Sequence, residues 1–130
     1  MKLVLGVLFA MLLGACAAPT PDMQGMVHNS RNSLDWAGAY EGTLPCADCP
    51  GIATRVELAL DQTYVLSLRY IDRDAAPRVS RGTFTWDAEG RSIELQSWRF
   101  QVREGSLALL DREGLPITGA LAQNYVLKKL

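Results

Sequence analysis

From Leu34 onward, apolar and polar residues alternate in short runs of period two, and no window of eleven or more residues carries helical spacing. That pattern demands strands with one buried face each. Trp36, Gly38, Tyr40 and Gly42 open the series. Val56, Leu58 and Leu60 alternate with Arg55, Glu57 and Ala59. Tyr64, Leu66, Leu68 and Tyr70 follow, opposed by Thr63, Val65, Ser67 and Arg69. The stretch from Val79 to Trp86 is β-branched and aromatic, with Gly82 as an expected bend. Ile93 and Leu95, then Trp98, Phe100 and Val102, then Leu107 and Leu109 continue the alternation, and Asn124 to Leu127 reads as a closing strand. Turn chemistry separates the runs at Asp61-Gln62, at the polar loop 72–78, at Asp87–Gly90, at Glu104-Gly105 and at Asp111–Gly114.

About eight short strands joined by tight turns favour neighbouring antiparallel pairing. One open sheet would leave exposed edges, and closure removes them. The expected fold is all-β: a small antiparallel up-and-down β-barrel, with a two-sheet sandwich as the rival. Its core should hold most of the aromatics and should bury Val56, Leu58, Leu60, Leu66, Leu68, Phe100 and Leu109 together.

The charges nearly cancel, with 13 Lys+Arg against 14 Asp+Glu. Nucleic acid is therefore not an expected partner, because phosphate recognition needs a basic excess or stripe. His28 is the single histidine, which argues against a Ser-His-Asp or His-rich metal enzyme. No catalytic residues are assigned.

The N-terminus reads as a separate device. Lys2 precedes an apolar stretch, Leu3 to Leu13, and small residues follow. That stretch is too short for a bilayer, which needs roughly 20 residues, and it has the three-part form of a secretory signal. Leu13-Gly14-Ala15-Cys16 resembles the lipobox of bacterial lipoproteins. The resemblance implies removal of residues 1–15, a diacylglyceryl group on the Cys16 sulfur and acylation of its new amine. Two or three acyl chains give durable membrane attachment. Ala17, rather than Asp, follows the cysteine. In enteric-type lipoproteins that resembles sorting to the outer membrane, facing the periplasm.

Residues 16–33 are expected to be a lipid-anchored tether. Pro19 and Pro21 oppose helix, and the Asn/Ser cluster favours turns. Met23, Met26 and His28 cluster within it. Thioether and imidazole suit copper, so these three are weak metal candidates.

Cys46 and Cys49 lie between the first two strands, flanked by Pro45 and by Pro50-Gly51. A disulfide would close a four-residue loop, worth roughly 2 kcal/mol by chain entropy. Two thiolates at this spacing could instead hold one Cu(I). Thioredoxin-type chemistry lacks its helix, since a strand follows the pair. Structural zinc lacks its second ligand pair. A structural disulfide and a redox- or copper-responsive pair remain the two readings; no cofactor is required, and Cu(I) is the candidate ion.

The stretch Asp35-Trp36-Ala37-Gly38-Ala39-Tyr40-Glu41-Gly42-Thr43-Leu44-Pro45-Cys46-Ala47-Asp48-Cys49-Pro50-Gly51-Ile52 resembles the signature of the NlpE N-terminal domain family, copper homeostasis or resistance lipoproteins. Thr54–Leu58, the Asp61-x-Thr63-Tyr64 turn, Leu110-Asp111-x-Glu113-Gly114 and Asn124-Tyr125-x-Leu127 extend the resemblance over residues 35–127. It implies a lipocalin-like barrel over 34–130, an outer-membrane lipid anchor, copper tolerance and an envelope-stress signalling partner. Full-length enteric members carry a second domain with another cysteine pair, so that domain's signalling role is not carried over. Two alternatives stand beside this reading. One is a lipocalin-like module for a small apolar ligand. The other is a protein-binding or inhibitor lipoprotein using the 72–78 loop, with Arg73, Asp74 and Arg78.

Overall fold

The computed structural model describes Gly14 and residues 28–130. Apart from Gly14, the expected signal segment, the lipidation site Cys16, and Met23 and Met26 lie outside the described residues.

The described residues form nine strands: β1 (Gly38–Leu44), β2 (Ile52–Leu58), β3 (Thr63–Tyr70), β4 (Arg78–Thr83), β5 (Thr85–Trp86), β6 (Ser92–Leu95), β7 (Trp98–Arg103), β8 (Ser106–Leu109) and β9 (Val126–Lys129). They pair antiparallel in the order β4-β3-β2-β1-β9-β8-β7-β6-β5. The two ends of that order are consecutive in sequence, separated only by Phe84. The Phe84 N–H donates to the Gln62 carbonyl at 2.9 Å, continuing the β3 side, while Thr85 and Trp86 pair with Glu94 and Ile93 of β6. One run of chain thus leaves one end of the sheet and enters the other. This is the expected up-and-down barrel, nearly closed, with the Val79–Trp86 run divided at its buried phenylalanine.

The interior follows from the alternation. Along β2 every second residue is buried: Ile52, Thr54, Val56 and Leu58. Tyr40, Leu44, Leu66, Phe84, Ile93, Leu95, Phe100, Leu107 and Leu127 are essentially solvent-free. The Thr54 hydroxyl satisfies itself by donating to the Ile52 carbonyl at 2.9 Å. Trp36, Phe84 and Trp86 meet edge to face, with centroids 5.4–6.2 Å apart. Such pairs add about 0.5–1.5 kcal/mol beyond their burial. At Gly42, β1 runs tight against the start of β9, for a Cβ there would lie 2.9 Å from a Leu127 methyl and 3.0 Å from the Val126 carbonyl.

Several local expectations need correction. Leu60 is not core; it is 80% exposed. Alternation stops when β2 ends at Leu58, and residues 59–62 turn, with Gln62 at φ 66° and its N–H bonded to the Ala59 carbonyl. Leu68 and Leu109 pack against the core only partly buried. Asn124-Tyr125 is not strand: Ala122–Tyr125 forms a 3-10 turn, and β9 starts at Val126. Ala108 is buried along with Leu107, because the 110–125 connection folds back across the outer face of β8.

Residues 28–33, expected to be tether, dock on the barrel. Ser30–Ser33 is one helical turn, α1, closed by a reciprocal capping box between Asn29 and Asn32. The Arg31 N–H donates to Gly90 O at 3.0 Å, the Ser30 hydroxyl to Val102 O at 2.7 Å, and the Trp36 indole N–H to Arg31 O at 3.0 Å. These bonds exceed what a free spacer could make, and they seat α1 across one barrel end. That entry end also holds the 59–62, 87–91 and 103–105 turns. The far end holds the 45–51, 71–77, 96–97 and 110–125 connections. The seven residues of β1 separate the two by roughly 20 Å at about 3.3 Å per residue.

Candidate functional site

The far end carries the cysteine pair. After β1 ends at Leu44, Pro45 and Pro50 restrict the backbone on either side of Cys46-Ala47-Asp48-Cys49, and β2 resumes at Ile52. Cys46 and Cys49 have Cα atoms 5.3 Å apart and are joined as a disulfide. Both are half-buried, and Asp48 between them is exposed. Gly51 closes the loop in a tight space, where a Cβ would lie 2.5 Å from the Thr43 methyl and force that side chain to shift. Its carbonyl accepts from Ile71 N–H at 3.0 Å, stitching the loop to the end of β3.

A second stitch runs through Asp48. Its carboxylate oxygen Oδ2 lies 2.6 Å from Arg73 Nη2, and the same nitrogen donates to the Asp48 carbonyl at 3.0 Å. Oδ1 sits 3.5 Å from Cys46 Sγ. The Asp74 carboxylate accepts from Tyr70 N–H at 3.1 Å and from Arg78 at 3.0 Å. The Tyr70 N–H chiefly, and Arg78 after it, hold that carboxyl below the usual range against a desolvation effect of opposite sign. Arg73, Asp74 and Arg78 are therefore engaged within the rim.

Sulfur and carboxylate atoms of Cys46, Asp48 and Cys49 all lie within 4.8 Å of one another. Oxidised, the pair offers no thiolate. Reduced, it presents two soft thiolates suited to Cu(I), beside one hard carboxylate that suits it less. His28 does not join them. It sits at the entry end, with Nδ1 3.3 Å from the Ser33 hydroxyl, in a shallow cleft shared with Arg91. The fold thus separates His28 from the thiols it was expected to assist. Arg73 was expected in the 72–78 loop as part of the protein-binding reading, and its contact with Asp48 is what sequence reasoning missed. The position of Asp48 between the cysteines was the available signal, whereas a partner 25 residues away left none.

The barrel interior is packed with apolar side chains among the described residues. Tyr40, Phe84, Phe100 and the aliphatic side chains fill it. The Tyr40 hydroxyl donates to the Trp36 carbonyl at 2.6 Å, and its pKa is pushed up to about 12 by burial first and the Asp35 charge second.

Fold and rim together define a class: a small, filled, up-and-down β-barrel with a disulfide-clamped loop at one end. The family model described as the NlpE N-terminal domain matches residues 40–120. The chain belongs to the NlpE N-terminal domain family. It is 33% identical over 95 residues to lipoprotein NlpE of Escherichia coli K12, an alignment covering 69% of this chain and 39% of that protein. The chain therefore matches about two fifths of the length of that relative. A crystal structure of a putative lipoprotein from Shewanella oneidensis superposes with a TM-score of 0.75 at 43% identity, covering 80% of this chain and 97% of that one. The crystal structure of the Cpx pathway activator NlpE from Escherichia coli superposes with a TM-score of 0.52 at 32% identity, covering 63% and 46%.

Proposed function

We propose that this chain is a non-enzymatic lipoprotein of the cell envelope, held by Cys16 in the outer membrane and facing the periplasm, whose Cys46–Cys49 pair senses copper or redox state. The observation that carries the reading is the placement of the pair. It lies on an accessible rim loop, with three ligand atoms within 4.8 Å, coupled through Asp48 and Arg73 to the neighbouring 71–77 loop. That coupling gives a change at the pair a route to the neighbouring loop. The lipoprotein and Cpx-activator descriptions of the Escherichia coli relative support the envelope and stress-signalling parts.

A periplasmic dithiol reduces the disulfide by exchange, taking the two sulfurs to thiols and becoming a disulfide itself. One Cu(I) then displaces the two thiol protons. Releasing the clamp frees Asp48 to move, and Arg73 passes that change to the 71–77 loop, where an envelope-stress partner would read it.

The test compares Cys46→Ala/Cys49→Ala with the parent chain. The double variant should fold and reach the membrane in normal amount, yet lose copper tolerance. The reduced parent should bind about one Cu(I), and the oxidised parent none through these sulfurs. A reduced parent that binds no Cu(I), with tolerance unchanged in the variant, leaves only the structural disulfide. Cys16→Ser tests the anchor separately, because a variant that still fractionates with the outer membrane defeats the lipid attachment.

A further inference from the structure

The barrel is nearly, not fully, closed, and the gap lies along β4. This strand pairs with β3 alone and ends the sheet order. The strand that follows it joins β6 only from Thr85 onward, and the β6–β7 hairpin turns at 96–97. The upper part of β4 therefore runs beside no other strand among the described residues.

Hydrogen-bond parity shows what that edge presents. Phe84 N–H donates to the Gln62 carbonyl, so the even-numbered residues of this run direct their backbone groups toward β3. Val79, Arg81 and Thr83 direct their N–H and C=O groups away from it. The same three side chains lie on the exposed outer face, while Ser80 and Gly82 face inward opposite Leu66 and Tyr64. Val79 is 53% exposed, unusual for a valine in a strand. No carboxylate of the described residues pairs with Arg81. Asp74, the acidic side chain before this strand, is already bonded to Arg78.

We propose that the free edge of β4 is a docking site for an extended acidic segment of a partner protein, which adds to the sheet as an antiparallel strand. The free backbone groups of Val79, Arg81 and Thr83 give such a segment its main-chain bonds, and the outward side chains give it selectivity. An antiparallel strand meets Arg81 before Val79. The preferred segment therefore reads acidic residue, any residue, β-branched residue. Charge also decides against a second copy of this chain. The register that overlaps all three open residues sets Arg81 directly opposite its own symmetry mate, and like charges so placed repel. An arginine on an open edge discourages indiscriminate pairing and admits a partner that carries the opposite charge. This inference does not depend on the cysteine chemistry.

The probe is an acetylated peptide, Ser-Thr-Thr-Glu-Thr-Val-Thr-Ser, titrated into the full chain in detergent micelles to about 1 mM, a range that detects weak strand addition. Backbone amide shifts should concentrate at Val79, Arg81 and Thr83. A peptide with Lys in place of Glu should bind roughly tenfold more weakly at low salt, and Arg81→Glu should invert that preference. Val79→Pro should abolish binding while leaving the far-UV spectrum and melting temperature near the parent's, because the Val79 N–H points away from β3 and bonds to nothing among the described residues. The proposal is overturned by peptide shifts absent from residues 79–83, by equal binding of the Lys peptide, or by a concentration-dependent dimer that Val79→Pro dissolves. The last outcome would make a second copy the occupant.

Discussion

The two ends of the barrel are built on opposite terms. At the entry end, Trp36, Phe84 and Trp86 meet edge to face under α1, and the docked turn is held by bonds to Gly90 and Val102. Its stability comes from dense apolar contact. At the far end, the connections are longer, the charges are exposed, and order comes from a disulfide and the Asp48–Arg73 bridge. A packed end resists change and loses much when any part is removed. A stapled end can be released by chemistry at one bond, which is the property a responsive loop needs.

The contrast predicts a ranking of effects. Trp36→Ala, at the packed end, should cost about 3–5 kcal/mol, as large aromatic truncations do, and should lower the thermal midpoint most. The Cys46→Ala/Cys49→Ala variant, at the stapled end, should cost roughly 2 kcal/mol or less because only four residues are enclosed. Denaturant melts with unchanged m-values would measure both. If the cysteine variant proves the more damaging, the two ends have been assigned the wrong way round.

Tyr40→Phe comes next, losing about 0.5–1.5 kcal/mol with the hydrogen bond to Trp36 O. It should also alter the alkaline limb. The Tyr40 pKa is raised from 10.0 to about 12 on folding. Its contribution is fully present below pH 10 and is lost as the pH climbs toward 12, because the unfolded chain ionises first. Stability of the parent measured across that window should fall more steeply than that of Tyr40→Phe. Smallest of all, Arg73→Ala should change stability by less than about 1 kcal/mol, since the ion pair with Asp48 is exposed. Its effect should appear instead as faster amide exchange in the 45–51 and 71–77 loops.

Most of the barrel was legible in the sequence because period two is enforced wherever a strand has one wet face. Val56, Leu58, Tyr64, Leu66, Phe100 and Val102 all obey it. The reading failed where a local pattern met a distant constraint. Leu60 extends the alternation past the last ladder pair. Ala108 is buried by a loop that returns from later in the chain. The α1 turn is capped by two asparagines rather than by the Ser/Thr and Glu/Gln pair that usually marks such a start. The cysteine pair was legible from its spacing and prolines. Its coupling to Arg73 was not, because contacts between loops depend on how the strands between them are registered.

The position of β1 has a mechanical consequence. The chain enters at one end of this strand, and the cysteine loop hangs from the other. A pull between the N-terminal side and that loop therefore runs along the strand axis. It loads the seven registered pairs from Gly38↔Leu58 to Leu44↔Ile52 side by side, in shear, and does not peel them apart one after another. With β9 paired on its other flank, β1 is a tension member, able to carry load from one end of the barrel to the other without unzipping.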